Sequence, residues 1–345
     1  MKKLLLPLLS AVVLTGCATV NYSYEGKAFQ KSMQTITQGD LKEDLYVVAS
    51  DDMEGRQTGS EGQKKAGRYL IEQYRKMGVS FPAPLNSFYQ TVPASFMKTK
   101  TRGGSLPESE NILAYIEGSE KPDEVIVLSA HYDHVGISNG QIFNGADDDG
   151  SGTVALLEIA EAFQTAKKAG HGPKRSILFL HVTGEEHGLI GSDYYSQNPV
   201  FPLANTVANL NIDMIGRCDP DNCGKDYVYV IGSEMLSTDL KKINVAANAK
   251  TVKLDLNYKY DDPADTQRLY YRSDHYNFAK HNIPVAFFFD GIHADYHKPT
   301  DDADKIDYSA LQKRTQLVFA TAWELANRAE RIVVDGKNSR WIMTS

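Results

Sequence analysis

From residue 112 onwards, short apolar runs alternate with amphipathic segments. Six of the runs are rich in β-branched or aromatic side chains, which is typical of strands buried in a sheet. These runs are Ile112–Ile116, Val125–Ala130, Ile177–Val182, Val207–Ile212, Tyr227–Ile231 and Val285–Phe289. The pattern therefore predicts six buried strands.

Helical patterns lie between several of these runs and after the last one. They cover Thr153–Ala166, His187–Ser196, Leu236–Ala249, Ser273–Lys280 and the long closing segment Tyr308–Arg328. Strands that alternate with helices form a sheet that is largely parallel and covered on both faces. We therefore expect a single-domain α/β fold with a central, largely parallel mixed β-sheet and helices on both faces.

Upstream of the first run the pattern is less regular. It predicts helices over Asp40–Ser50 and Ser60–Met77. Residues 80–108 are rich in proline and glycine, so we expect loops there, with one edge strand around Phe88–Val92.

The amino-terminal residues form a predicted export signal. Two lysines precede the apolar stretch Leu4–Leu14, which is too short to span a membrane. The following Leu-Thr-Gly-Cys17 resembles a bacterial lipoprotein box, which implies cleavage before Cys17 and lipidation of its thiol; a plain signal peptide is the alternative.

Ala18 replaces the aspartate that favours inner-membrane retention in enteric-type bacteria, so we expect an outer-membrane anchor facing the periplasm or the exterior. The predicted division is a signal peptide at 1–16, a lipidated tether at 17–39 and a folded domain at 40–345.

Charge and cysteine content narrow the range of functions. The 345 residues include 37 Lys and Arg against 44 Asp and Glu, which gives a formal net charge of −7. An acid excess without a long basic run argues against nucleic acid as a partner. Export implies an oxidising compartment, so Cys218 and Cys223, in a turn-rich Cys-Asp-Pro-Asp-Asn-Cys segment, are predicted to form a disulfide. Two free thiols are the alternative.

Histidines and carboxylates follow the predicted strands. His131 and Asp133 come after the second run, Glu185 and Glu186 after the third, and Asp213 after the fourth. Three consecutive aspartates at 147–149 precede a helix, and Tyr296 and His297 follow the sixth run after a loop. Each motif alone is typical of a turn or a helix start. Because the carboxyl ends of parallel strands share one edge, where binding sites form, the motifs together predict a single site.

The residue types at this edge suit a metal centre. Imidazole and carboxylate groups are zinc ligands, and two zinc ions about 3.5–4 Å apart form a clamp for hydrolysis. One carboxylate should bridge the ions, and Asp133 is a candidate acceptor for the second ring nitrogen of His131. One glutamate must remain unligated to take a proton from water. Glu185 and Glu186 could therefore supply one base and one ligand.

Taken together, these motifs resemble the secreted co-catalytic di-zinc aminopeptidases, whose fold is shared with glutamate carboxypeptidase and transferrin-receptor-like proteins. In the family's order, the matching motifs are Ser-Ala-His131-Tyr-Asp133-His, Gly-Ala-Asp-Asp148-Asp-Gly-Ser-Gly, Gly-Glu185-Glu186-His-Gly-Leu-Ile-Gly-Ser, Asn-Ile-Asp213-Met-Ile-Gly, Arg-Ser-Asp274-His and Tyr296-His297-Lys-Pro-Thr-Asp. The resemblance begins near residue 51, with Glu-Gly-Arg-Gln-Thr-Gly-Ser, and extends to the final helix.

The resemblance implies two Zn²⁺ per chain and a position for each ligand. Asp148 would bridge the two ions. His131 and Asp213 would complete one zinc site, and Glu186 and His297 the other. None of the neighbouring histidines His134, His187 and His293 falls on a ligand position.

The resemblance also implies roles for residues that do not bind zinc. Glu185 would be the general base, and Tyr296 would donate to the developing oxyanion, as in some members of the family. Asp133 would orient His131. Asp274 would be a hydrogen-bond acceptor supporting the loop around the zinc ions, or else a helix N-terminal carboxylate. The peptide bond between residues 148 and 149 would be cis.

The implied activity is hydrolysis of the first peptide bond of a peptide or protein with a free amino terminus. A carboxypeptidase or dipeptidase on the same core is an alternative, and Arg217 or Arg272 would then bind a substrate carboxylate. A glutaminyl cyclase with one zinc and a non-catalytic binding module are further alternatives. The complete set of five ligands argues against both. Residues 80–110 are too few for the inserted protease-associated domain of the carboxypeptidase branch, which favours the aminopeptidase.

Overall fold

A computed structural model describes residues 24–100, 106–262 and 264–336. The predicted signal peptide and Cys17 lie outside these ranges and stay predictions. Among the described residues, no helix is both long and apolar enough to cross a membrane.

Ten strands lie within the described residues, and eight of them form one sheet. In chain order they are β1 Tyr89–Val92, β2 Ser109–Ile116, β3 Lys121–His131, β4 Gly136–Ser138, β5 Gln141–Phe143, β6 Arg175–Val182, β7 Thr206–Ile212, β8 Tyr227–Ile231, β9 Asp255–Asn257 and β10 Val285–Phe289. The order in the large sheet is β1-β2-β6-β3-β7-β10-β8-β9, and β4 and β5 form a separate hairpin. All six predicted strands are present.

The centre of the sheet is parallel and its flanks are mixed. Strands β6, β3, β7 and β10 run parallel to one another. Strand β2 is antiparallel to β6, β1 to β2, and β8 to β10, whereas β9 is parallel to β8. The predicted fold class is confirmed, and four strand ends point to one edge.

Nine helices pack around the sheet in the described part of the chain. They are α1 Lys27–Met33, α2 Gln38–Val48, α3 Glu61–Met77, α4 Ala94–Lys100, α5 Gly152–Lys168, α6 Ile190–Gln197, α7 Thr238–Lys250, α8 His275–Ala279 and α9 Tyr308–Asn327. Helix α2 begins earlier than predicted because Thr37 is the N-cap: its hydroxyl accepts a hydrogen bond from the backbone N–H of Asp40 at 3.1 Å.

Alternate residues of each central strand face opposite sides of the sheet. In β3, Ile126 and Leu128 belong to the larger apolar core, under α1, α2, α3, α5, α7 and α9. Val125 and Val127 belong to a second core that includes Tyr195 of α6. Burial of both faces explains why these strands are continuous apolar runs.

The prediction that residues 17–39 form a polar tether is wrong for its later part. Helix α1 lies within this range, and Tyr24, Phe29 and Ile36 are buried. The ring of Phe29 stacks on that of Phe319 with 5.6 Å between centroids. Because these few apolar residues are scattered through a polar stretch, the periodicity is too weak to predict a packed helix.

Candidate metal centre

The carboxyl ends of three parallel strands deliver the first site residues. His131 is the last residue of β3, Glu185 and Glu186 follow β6, and Asp213 follows β7. Asp148 lies on the loop before α5, and His297 lies beyond β10. The structure brings all of these side chains together, as the positions of the motifs predict.

One ligand group consists of His131, Asp148 and Asp213. The Nε2 atom of His131 is 3.1 Å from Asp148 Oδ1 and 3.6 Å from Asp213 Oδ1. All three residues are buried, and their ligand atoms lie close enough together to surround one ion.

The second group uses the other oxygen of Asp148. Asp148 Oδ2 is 3.0 Å from His297 Nε2, which is 3.1 Å from Glu186 Oε2. His134 also belongs to this group, since its Nδ1 is 2.7 Å from Glu186 Oε1. The prediction that His134 has no ligand position therefore disagrees with the geometry. Asp148, with one oxygen toward each group, lies where a bridging ligand is needed.

The two adjacent glutamates differ in their surroundings. Burial and the neighbouring carboxylates of Asp213 and Glu186 raise the pKa of Glu185 well above its ordinary value, against the effect of His131. For Glu186, burial and Asp148 act in the same direction, but the imidazoles of His134 and His297 lower the pKa to about 2. One glutamate is thus suited to hold a proton and the other to remain a ligand.

Asp133 orients His131, but through a different atom from the one expected. The Nδ1 atom of His131 is 3.0 Å from the backbone oxygen of Asp133, whereas the carboxylate Oδ1 is 3.8 Å away. That carboxylate accepts hydrogen bonds from the hydroxyl of Thr58 at 2.7 Å and from the backbone N–H of Glu185 at 3.2 Å. The side chain therefore positions the loop that carries Glu185.

Two aspartates that the motifs assign no role hold the loop of Asp148. The carboxylate of Asp149 accepts from the backbone N–H groups of His131, Gly152 and Met214 at 2.9–3.1 Å. The carboxylate of Asp301 accepts from the N–H of Asp148 at 3.2 Å. The peptide bond between Asp148 and Asp149 is cis.

Arg56 is a further residue whose role the sequence did not predict. Its fully buried guanidinium donates to the backbone oxygens of Val48, Tyr132, Asn144 and Gly145 at 2.6–2.9 Å. It thereby joins the loop after β3 to the loop before α5. The Glu-Gly-Arg-Gln-Thr-Gly-Ser motif was the only signal for it.

Asp213 is held by Ser273, the neighbour of Asp274 in the chain. The hydroxyl of Ser273 donates to Asp213 Oδ2 at 2.6 Å. Asp274 is buried and accepts from the hydroxyl of Ser192, which links α8 to α6. Asp274 lies at the N-cap position of α8, in agreement with the alternative prediction of a carboxylate at a helix N-terminus.

The donor set fits divalent metal ions. Burial opposes ionisation of Asp148, but the imidazoles of His131 and His297 outweigh it and hold the pKa well below its ordinary value. Among the described residues, the buried atoms His131 Nε2, His134 Nδ1, Asp148 Oδ2 and Glu186 Oε1 lack a hydrogen bond of acceptable geometry. Closely spaced buried carboxylates repel one another unless cations lie between them. Nitrogen and oxygen donors around two such positions suit zinc.

Known proteins share this arrangement of strands and loops. Residues 111–322, more than half of the chain, match peptidase family M28. The chain belongs to peptidase family M28. A probable leucine aminopeptidase of Arthroderma benhamiae is 31% identical to this M28 chain over 222 residues, which are 63% of the chain and 57% of that relative. The chain thus spans less than two thirds of the relative's length.

Solved structures with the M28 fold superpose on most of the chain. The Legionella pneumophila LapA aminopeptidase has a TM-score of 0.68 at 19% identity, over 96% of this chain and 81% of that one. BSAP, a zinc aminopeptidase from Bacillus subtilis, gives 0.64 at 18% identity, over 88% and 99%. A Bacteroides thetaiotaomicron glutaminyl cyclase gives 0.64 at 20% identity, over 84% and 98%. The fold is therefore shared by enzymes with different reactions.

A small cavity of about 40 Å³ adjoins the metal centre of this M28 chain. Its lining includes Asp148, Glu185 and Asp213 on one side and Met214, Leu269, Phe287, Phe289, Ile292 and Tyr296 on the other. Tyr296 is half-buried and stacks on His297 with 3.9 Å between ring centroids. Burial and the surrounding carboxylates raise the pKa of its phenol, so Tyr296 stays protonated and can donate a hydrogen bond.

The structure forms the disulfide that the sequence predicts. Cys218 and Cys223 are bonded, with 5.2 Å between their Cα atoms. The bridge closes the turn that follows Arg217, whose guanidinium pairs with Asp295 at 2.9 Å. It therefore supports one rim of the metal centre.

Proposed function

We propose that this M28 chain is a zinc-dependent aminopeptidase that binds two Zn²⁺ and removes the first residue of peptides or proteins. The observation that carries the proposal is the position of Asp148, which contacts His131 with one oxygen and His297 with the other. Glu185 lies beside His131 and is not a member of either ligand group. The family match and the aminopeptidases among the similar proteins support it.

The five predicted ligands would hold the two ions. His131 and Asp213 would bind one, Glu186 and His297 the other, and Asp148 both. Zinc ions bound there would polarise the scissile carbonyl and acidify a water molecule.

Glu185 then moves the proton. Its Oε2 is 3.9 Å from His131 Nε2, so the carboxylate lies beside the first ligand group, where it lines the cavity. It takes a proton from the attacking water and returns it to the leaving amine. Tyr296 donates to the oxyanion that develops on the former carbonyl.

The cavity would hold the side chain of the first substrate residue. Its apolar walls, among them Met214, Phe287 and Ile292, favour an apolar side chain over a charged one. The carboxylates at the edge of the cavity attract the positively charged α-amino group. An amino-terminal substrate therefore suits the site better than an amino-blocked one.

A carboxypeptidase would need a free guanidinium at this rim. Arg217 is paired with Asp295, which leaves Arg272, an exposed residue that lines the cavity. A zinc measurement, followed by assays on amino-free and amino-blocked peptides, separates the possibilities. We expect two zinc ions per chain and turnover of free peptides only. One zinc ion with cyclase activity, or cleavage of blocked peptides from the carboxyl end, would contradict the proposal.

The sharpest single test of the mechanism is Glu185→Gln. Because the amide cannot accept the proton, kcat should fall by about 10²–10⁴-fold, while zinc content and melting temperature stay close to those of the wild type. Glu120→Gln, an exposed change at the opposite edge of the sheet, is the matched control and should keep full activity. Turnover near the wild-type rate in Glu185→Gln would refute the assignment of the base.

We further propose that the protein is exported and lipid-anchored through Cys17 to the outer membrane, facing the periplasm or exterior. Support comes from the sequence Leu-Thr-Gly-Cys17, which resembles a lipoprotein box. Gly26, further along the chain, lines a groove with Ser119 and Lys174, which precede β3 and β6. This is the amino edge of the sheet, opposite the metal centre, so an anchored enzyme would present its site away from the membrane. Cys17→Ala should move the full chain from the membrane to the soluble fraction with kcat unchanged; retention in the membrane would contradict the anchor.

A further inference from the structure

His134 has no part in the proposed reaction, yet its ring lies in the second ligand group. Its Nδ1 is 2.7 Å from Glu186 Oε1 and 3.8 Å from Asp148 Oδ2. The side chain is completely buried, and its ring centroid is 5.7 Å from that of His297. His134 and His297 therefore approach Asp148 and Glu186 together.

The spacing of these atoms allows two imidazoles and two carboxylates around one ion, with His297 at Oε2 of Glu186 and His134 at its Oε1. With zinc bonds of about 2.0–2.2 Å, ligand atoms of a tetrahedral site lie about 3.3 Å from one another. The contacts of His297 with Asp148 and Glu186 are 3.0 and 3.1 Å. Those of His134 are 3.8 and 2.7 Å, so both imidazoles lie within ligand range of the same two carboxylates.

The surrounding chain is shaped to hold the His134 ring in this place. Gly145 has a φ of +55°, and a Cβ atom there would lie 2.5 Å from Cγ and Cδ2 of His134. Only glycine leaves room for the ring. The backbone of His134 is fixed as well, since its N–H donates to the backbone oxygen of Arg56 at 3.1 Å, while the Arg56 side chain holds Gly145.

We propose that His134 Nδ1 is a fourth protein ligand of the second zinc site, together with Asp148, Glu186 and His297; the inference rests on the two-zinc function proposed above. The neutral imidazole would carry its proton on Nε2 and direct the lone pair of Nδ1 at the ion. Of the four ligands, His297 is the exposed one, with 39% of its side chain accessible, and His134 supplies a buried one.

The consequence is that the two zinc sites differ in affinity. The first site has three protein ligands, an arrangement that leaves a position for water or substrate, as in catalytic zinc sites. The second has four and should retain zinc more strongly. During slow chelation, the first site should therefore lose its ion before the second.

The competing explanation is that His134 only orients Glu186 through a hydrogen bond. His134→Asn separates the two roles, because the amide nitrogen of asparagine occupies the place of Nδ1 and can still donate to Glu186. An amide nitrogen is not a zinc ligand. His171→Asn, an exposed change at the opposite edge of the sheet, is the matched control.

The experiment titrates the apo forms of the full chain with Zn²⁺ in the presence of a competing chelator. For His134→Asn we expect the tighter of two binding steps to weaken by more than about 100-fold, beyond the 10–100-fold typical of a residue that only orients a ligand. The control should keep both steps. A loss of about 100-fold or less in His134→Asn would overturn the inference, and two bound zinc ions in that variant would leave the proposed function intact.

X-ray absorption at the zinc edge of the fully loaded wild type gives an answer that needs no variant to fold. It counts imidazoles around the two ions together. Three, from His131, His134 and His297, support the inference, and two overturn it. A chain that binds no zinc overturns the inference and the proposed function together.

Discussion

The buried carboxyl groups of the metal centre can be compared with that of Glu158, which is buried inside helix α5. Burial raises the pKa of Glu158 to about 9, and it opposes ionisation of Asp148 in the same way. Asp148 is nevertheless held ionised by the imidazoles of His131 and His297. Burial raises the pKa of the carboxyl group in both regions. The regions differ in the side chains that surround this group.

Glu158 has acidic neighbours in place of histidines. Asp40 and Glu161 raise its pKa further, and its Oε2 accepts one hydrogen bond, from the backbone N–H of Thr37 at 3.2 Å. Within the described residues, groups of three or more converging ligand atoms are found only around Asp148. Burial of an acid is thus a poor indicator of a site, whereas convergence of imidazole and carboxylate atoms is a good one.

The largest expected effect comes from Asp148→Asn, which removes the shared ligand. Zinc content should fall at both positions, and kcat/KM should fall by about 10³-fold or more, since several kcal/mol of transition-state stabilisation depend on the ions. Metal analysis and peptidase assays on the same preparation check this. A variant that keeps two zinc ions per chain would show that Asp148 does not bridge.

Removal of the metal ions should have the next largest effect, which is a loss of stability. The loss should come from the metal centre and should not depend on Glu158. An ion present at 100 times its dissociation constant stabilises the folded chain by about 2.7 kcal/mol. Dialysis against a chelator should therefore lower the melting temperature of the wild type and of Glu158→Gln by similar amounts. Equal melting temperatures with and without chelator would indicate that the carboxylates at 148, 186 and 213 are not compensated by bound cations.

The strands and the candidate ligands are predictable from the sequence for one shared reason. Continuous apolar runs such as Val125–Ala130 reflect burial on both faces, and polar residues that directly follow such runs lie at the carboxyl edge. The position of His131 and Asp213 at this edge needed no further information. The position of Asp148 needed the resemblance to a known family, because three adjacent aspartates look alike in sequence.

What could not be predicted depends on contacts between distant segments. Arg56 bonds backbone oxygens up to 89 positions away, and backbone oxygens leave no trace in a sequence. His134 reaches the second ligand group only because Gly145 adopts a positive φ beside its ring. Likewise, the carboxylate of Asp133 accepts from Thr58 and from the backbone N–H of Glu185, and His131 contacts the backbone oxygen of Asp133 instead.

The smallest expected effect is on stability alone and belongs to Glu158. Its folded pKa of about 9 exceeds its ordinary value of 4.5, so the folded chain keeps a proton that the unfolded chain releases. The stability linked to this proton is fully present below pH 4.5 and is lost as the pH rises toward 9, by up to about 1.4 kcal/mol per pH unit.

Glu158→Gln removes this dependence while retaining an oxygen that can accept from Thr37. The difference in unfolding free energy between variant and wild type, measured with urea at several pH values, should therefore grow from pH 5 to pH 8 in favour of the variant. Zinc content and kcat should not change, because Glu158 lies outside the ligand groups. A difference that is constant with pH would mean that Glu158 is ionised in the folded chain. The contrast would then disappear, since both regions would hold charged buried carboxylates and Glu158 would need a cationic partner of its own.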